Sequence, residues 1–98
     1  MEAIALPEAA IGSICGKFGV RELSLFGSAL GPDFRPESDI DLLVEFLPEA
    51  HAGLLALASM QEELEKLLGR KVDLVPKAGL KSMIRNEILA KARILYAA

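Results

Sequence analysis

The sequence reads ELSLFGS at residues 22–28 and SDIDLLV at residues 38–44. Each stretch contains an apolar run of strand length, and the second run begins with Asp39 and Asp41. Side chains in a strand alternate between its two faces, so both carboxylates are predicted to lie on one face while the residue between them enters the core. The two stretches therefore predict a pair of strands with polar residues at their ends.

Two carboxylates in one small volume repel each other, and a cation or a shared proton relieves that repulsion. Mg2+ takes oxygen ligands, keeps several waters and often completes its shell with substrate phosphates. Asp39 and Asp41 are thus candidate ligands of a Mg2+ ion that carries a nucleoside triphosphate. A lone Asp-x-Asp at a strand end is more often solvated surface, so the neighbouring stretch decides between these interpretations.

Gly27 and Ser28 follow the first strand-like run and lead into a turn or short helix. Glycine allows a phosphate to approach the backbone closely, and free N–H groups at a helix start, with the Ser28 hydroxyl, can donate to it. A Gly-Ser pair alone is ordinarily only a turn. Its occurrence eleven residues before Asp39, each beside a strand-like run, favours a triphosphate site.

Three segments together resemble the minimal nucleotidyltransferase family of the DNA polymerase beta-like superfamily. They are LFGS at 25–28, RPESDIDLLVEF at 35–46 and LLGRKVDLV at 67–75. The resemblance implies that Gly27 and Ser28 bind the triphosphate and that Asp39 and Asp41 bind Mg2+. It also implies a third carboxylate from a later strand, and Asp73 matches that position.

Other observations bear on this set of residues. Asp73 lies in the centre of a β-branched run between Gly69 and Pro76, which predicts a strand with one polar residue. It either joins the other two aspartates as metal ligand and general base or lies on a solvent face. Ser38, directly before the first carboxylate, is a further predicted nucleotide contact. Many family members carry an arginine shortly after Gly-Ser, and Gly31 occupies that place here.

The resemblance also implies a function. Members are often encoded with a HEPN-domain ribonuclease toxin and transfer AMP from ATP to one of its tyrosines, acting as its antitoxin. We therefore expect a Mg2+-dependent protein adenylyltransferase. One alternative is a non-catalytic antitoxin that inhibits a HEPN partner by binding alone, and a weaker one is transfer to a small molecule.

The fold expected from the 98 residues is α/β: one domain over residues 1–98, with a short mixed sheet packed against about four helices in a nucleotidyltransferase fold. Helices are predicted from Pro7 to about Phe18, in the segment after Gly53, and from about Leu80. Periodicity leaves residues 93–96 open between strand and helix.

Composition restricts the partners. Hydrophobic residues form 52% of the chain and the mean hydropathy is +0.36, which predicts that a partner or a second copy covers some apolar surface. A net charge of −3 without tryptophan disfavours direct nucleic-acid binding. The apolar runs are too short to span a membrane, so a cytoplasmic location is expected. The single cysteine, Cys15, is predicted to be a buried hydrophobe.

Overall fold

A computed structural model describes residues 6–27, 39–80 and 82–98. Its regular elements are, in chain order, α1 (Glu8–Phe18), β1 (Val20–Phe26), β2 (Ile40–Phe46), α2 (Leu54–Leu68), β3 (Val72–Pro76), α3 (Ser82–Lys91) and β4 (Arg93–Ala97). These ranges contain three α-helices, fewer than the about four expected. The turn or short helix predicted after Gly27 lies outside the described residues, and short 3-10 turns follow β2 and β3 instead.

The predicted element positions are confirmed with small shifts at their ends. Helix α1 begins directly after Pro7 and ends before Gly19, whose N–H donates to carbonyl oxygens of the last helical turn. Strand β1 begins two residues earlier than predicted, at Val20. Strand β2 begins at Ile40, so Asp39 lies immediately before the strand and not within it.

The four strands form one sheet in the order β3-β2-β1-β4. Strand β1 runs antiparallel to both β2 and β4, whereas β2 and β3 are parallel, so the sheet is mixed as predicted. The segment that periodicity left open is the strand β4, which pairs with β1. None of the helices in the described ranges has the length and apolar character needed to cross a membrane.

The core lies between one face of the sheet and the helices α1 and α2. Ile11 and Cys15 of α1 and Met60 and Leu64 of α2 are fully buried there. The strands contribute Leu23, Leu25, Ile40, Leu42, Val44, Val72, Leu74 and Leu95. Because side chains alternate along a strand, the residues between these positions are directed to the opposite face, which carries the aspartates.

The thiol of Cys15 is part of this core, as predicted, and burial raises its pKa from 9.0 to about 11. A buried neutral thiol is a poor nucleophile. We expect Cys15 to react with a thiol reagent at pH 8 only after the protein is unfolded in guanidinium. Rapid modification of the native protein would contradict this burial.

The same pKa shift makes stability depend on alkaline pH. The contribution of the buried neutral thiol to the free energy of unfolding is full below pH 9. It decreases as pH rises from 9 to 11, because the thiol of the unfolded chain releases its proton first. Between pH 8 and 10 the free energy of unfolding should fall by about 1 kcal/mol more in the wild type than in Cys15→Ala. Urea titrations of both proteins at the two pH values measure this difference. An equal fall in the free energy of unfolding in both proteins would contradict it.

Candidate active site

The pairing of β2 with β3 places two of the predicted carboxylates side by side. In the parallel register, Asp41 lies opposite Asp73, and the flanking pairs are Ile40 with Val72 and Leu42 with Leu74. Neighbouring strands are about 4.8 Å apart, and opposed residues direct their side chains to the same face. The structure therefore brings Asp41 and Asp73 together at the start of both strands.

Asp39 belongs to the same end of the sheet. It precedes β2 by one residue and is separated from Asp41 by the fully buried Ile40. The side chain of Asp41 is half-buried, while Asp39 and Asp73 are exposed. Three carboxylates thus lie where two adjacent strands begin, on the face of the sheet opposite α1 and α2.

Carboxylate oxygens are the donors that Mg2+ prefers, so the residue types at this end of the sheet fit that ion. Within the described ranges, no three acidic, histidine or cysteine side chains stand close enough together to hold a metal ion in the present conformation. The common placement of the aspartates rests on backbone register. Asp39 and Asp73 are exposed, so their side chains can reach other rotamers at little cost.

Gly27 closes this end of the sheet from the side of β1. The last residue of β1, Phe26, is paired with Asp41, so Gly27 follows directly beside that carboxylate. Gly27 has a φ of +75°, and an added Cβ would collide with Asp41 Oδ2 and lie 3.2 Å from Asp41 Cγ. A side chain at this position would be strained by the positive φ and would require the Asp41 carboxylate to move.

The other two predicted nucleotide contacts, Ser28 and Ser38, lie outside the described residues, as does Gly31. The three carboxylates and Gly27 are the predicted site residues that the structure describes. They form an acidic group at the starts of β2 and β3, with the backbone of Gly27 beside Asp41. Carboxylates are typical ligands of a divalent cation, and glycine is typical of backbone that contacts a phosphate.

A family model of the nucleotidyltransferase domain matches residues 8–95 of the chain. The chain belongs to the nucleotidyltransferase domain family. The resemblance found in the sequence is therefore confirmed, and the described sheet and helices are those of a nucleotidyltransferase.

Relatives of this nucleotidyltransferase agree with the assignment. The chain is 45% identical over 73 residues to the protein adenylyltransferase MntA of Thermococcus cleftensis, covering 74% of this chain and 72% of that protein. A solved structure assigned as a minimal nucleotidyltransferase superimposes with a TM-score of 0.76 at 36% identity, covering 87% of this chain and 85% of the other. These similarities confirm the predicted fold and the enzyme class.

A third neighbour is the complex of a tri-AMPylated HEPN toxin of Shewanella oneidensis with its MNT antitoxin. The matching chain has a TM-score of 0.68 and 19% identity, covering 93% of this nucleotidyltransferase and 70% of that chain. At this identity the match shows a shared fold.

Two residues of α2, outside the set predicted from the sequence, contact the strand that carries Asp73. Gln61 and Glu65 accept hydrogen bonds from the backbone of β3. Their sequence signal is a pair of polar residues four positions apart beside the apolar stripe of an amphipathic helix. Such residues usually face solvent, and only the packing of α2 against β3 reveals the contact.

A cavity of about 500 Å3 lies at the opposite end of β2 and β3. It is lined mainly by apolar residues, including Val44, Phe46, Leu57 and Pro76. At its edge, Lys77 and Glu45 form an ion pair with Nζ and Oε1 3.3 Å apart. Among the described residues that line the cavity, the carboxylate is Glu45, which is already paired with Lys77, so we assign no metal-bound triphosphate to it.

The first turn of α2 carries exposed apolar surface beside that cavity. Leu54 and Leu55 are 84% and 86% exposed. Two adjacent leucines this exposed agree with the apolar surface expected from composition. They are separated from the aspartates by the length of β2.

Proposed function

We propose that this chain transfers AMP from ATP, in a Mg2+-dependent reaction, to a tyrosine of a HEPN-domain toxin and so acts as its antitoxin. The proposal is supported by the acidic group at the starts of β2 and β3 and by the glycine against it. It is also supported by the name of the 45% identical relative, a protein adenylyltransferase. The neighbour with an AMPylated HEPN toxin suggests the class of acceptor.

The proposed reaction is an in-line displacement at the α-phosphorus of ATP. The tyrosine oxygen forms a bond to that phosphorus, the bond to the β-phosphate oxygen breaks, and pyrophosphate leaves. Asp73, exposed beside Asp41, is the proposed acceptor of the tyrosine proton. The backbone at Gly27, with Ser28 and Ser38, would orient the triphosphate.

Asp39, Asp41 and Asp73 are the proposed Mg2+ ligands. When bound, the ion would supply positive charge against the triphosphate and the developing charge of the leaving group. The aspartates would hold that charge at the strand starts, next to the backbone of Gly27. The observation that carries this assignment is the register of β2 and β3, which sets Asp41 opposite Asp73.

The direct experiment combines the purified protein, ATP labelled on the α-phosphate, Mg2+ and the protein encoded by the neighbouring gene. We expect label on the partner, mapped by mass spectrometry to a tyrosine, and loss of the partner's ribonuclease activity. Removal of Mg2+ with a chelator should abolish labelling. Label on another acceptor, or no label at all, would contradict the proposed function.

A second candidate function is inhibition of the HEPN partner by binding alone. The observation that favours it is Gly31, at the place where many family members have a phosphate-binding arginine. This candidate predicts inhibition that survives omission of ATP and the substitutions Asp39→Asn and Asp41→Asn. Adenylyl transfer predicts that inhibition requires ATP and both aspartates.

Two further parts of the proposal concern the setting of the reaction. We place it in the cytoplasm, with ATP and the HEPN protein as partners and without direct nucleic-acid contact. Self-association remains a prediction from the apolar composition. Light scattering of the purified chain, alone and with its partner, measures both states.

A further inference from the structure

Strand β3 is the outermost strand on one side of the sheet. Alternate residues of such a strand direct their N–H groups away from the sheet, where they need other partners. Ile40 N donates to Lys71 O at 2.9 Å, which shows which residues of β3 form hydrogen bonds with β2. In this pattern the N–H of Asp73 points toward β2, and the N–H groups of Val72 and Leu74 point away from the sheet.

Two side chains of α2 accept these outward hydrogen bonds. Glu65 Oε2 lies 2.9 Å from Val72 N, and Gln61 Oε1 lies 3.3 Å from Leu74 N. The two acceptors are four residues apart in the helix, a rise of about 6 Å. Two residues of a strand span about 6.6 Å, so one face of α2 matches both amides.

Helix α2 is itself fixed to the sheet next to these contacts. Met60 and Leu64, the residues directly before Gln61 and Glu65, are fully buried in the core. Gln61 and Glu65 are half-buried, which weakens competition from water for their hydrogen bonds. Helix α2, which is fixed by its buried residues, therefore holds β3 at the residue before Asp73 and at the residue after it.

We propose that Gln61 and Glu65 are positioning residues of the transfer site, which keep Asp73 in register with Asp41. The proposal rests on the proposed function, because it assumes that Asp73 binds the divalent cation together with Asp41. Neither side chain is placed on the substrate. They act through the backbone of β3, whose two outward amides flank the carboxylate.

The alternative role is protection of an open sheet edge against pairing with another chain. Both roles predict loss of amide protection when the acceptors are removed. Of the two roles, only positioning predicts weaker binding of the divalent cation beyond the effect of losing the Glu65 charge. The affinity for Mn2+, used as a paramagnetic substitute for Mg2+, therefore separates the two roles.

The test compares the wild type with the double variant Gln61→Met and Glu65→Met, which keeps side-chain length but removes both acceptors. Mn2+ is titrated while the broadening of the Asp41 and Asp73 amide signals is followed by NMR. We expect the double variant to need about 10- to 100-fold more Mn2+, the usual effect of losing groups that orient metal ligands. Hydrogen exchange at Val72 and Leu74 should accelerate.

Two further variants serve as controls. Glu65→Gln removes the charge but keeps an acceptor oxygen, so its Mn2+ affinity should stay within about twofold of wild type. An affinity as low as that of the double variant would assign the effect to the charge and overturn positioning. Glu62→Gln removes a charge from the exposed face of the same helix, where Glu62 pairs with Lys66, and should change nothing. Thermal unfolding of each variant verifies that it is folded.

The outcomes separate this inference from the proposed function. Unchanged Mn2+ affinity in the folded double variant would overturn positioning, even if wild-type protein transfers AMP. Weaker Mn2+ binding in the double variant would support positioning, even if no transfer to a HEPN protein is found. Absence of Mn2+ binding in wild type would overturn both.

Discussion

Replacement of Asp41 by asparagine is expected to lower the rate of AMP transfer about 100- to 1000-fold, with the fold retained. Metal-ion stabilisation of a phosphoryl transition state is worth several kcal/mol, and each 1.36 kcal/mol is about tenfold in rate. Asparagine has nearly the same shape as aspartate but no negative charge. Asp41 lies opposite Asp73 and beside Gly27, so its charge is central to the acidic group.

The matched control for this variant is Glu45→Gln. Glu45 lies on the same strand four residues further on, so it faces the same side of the sheet, and its partner is Lys77 at the other end. The substitution removes the same charge from the same strand away from the proposed site. We expect its transfer rate to stay within about twofold of wild type, because a half-exposed ion pair contributes little. Similar rates for Asp41→Asn and wild type, with both folded, would contradict the assignment of Asp41.

Replacement of Gly27 by alanine is expected to lower transfer about 100-fold, because a misplacement of about 1 Å at a reacting group has effects of that size. The new Cβ would enter the space of the Asp41 carboxylate and force it to move. Alanine at a φ of +75° adds backbone strain of about 1–2 kcal/mol. The variant should therefore lose both stability and activity, measured by urea unfolding and by labelled transfer.

Gly69→Ala separates these two effects. Gly69 has a similar φ of +68° after α2, and nothing lies within 4 Å of a Cβ added there. This variant should show the backbone strain alone, with a stability loss of about 1 kcal/mol and transfer close to wild type. If Gly69→Ala lost as much activity as Gly27→Ala, the loss would follow from reduced stability and the role of the Asp41 contact would be wrong.

The sequence predicts the parts of the fold that depend on local pattern. Helix α1 follows from Pro7 and ends at the glycine that can adopt its terminal conformation. The alternation of Asp39, Ile40 and Asp41 predicts which side chains are buried, and the structure confirms it at Ile40. Such features are encoded within a few residues, so the amino-acid order is sufficient.

Long-range pairing is less accessible to this reasoning. Residues 93–96 form a strand because β1 offers them a partner, and a short apolar run does not encode that partner. The register of Asp41 with Asp73 depends on how α2 returns the chain to the sheet. Gln61 and Glu65 have the sequence pattern of solvent-facing residues, and their contacts with β3 follow from the packing of α2.

Isothermal calorimetry with a non-hydrolysable ATP analogue measures whether the aspartates bind a metal-bound triphosphate. We expect binding in the presence of Mg2+, little binding with a chelator, and loss of the Mg2+-dependent component in Asp41→Asn and Asp73→Asn. Glu45→Gln should bind as wild type does. Binding of equal strength with and without Mg2+, or no binding by the folded wild type, would contradict an acidic site that holds a metal-bound triphosphate.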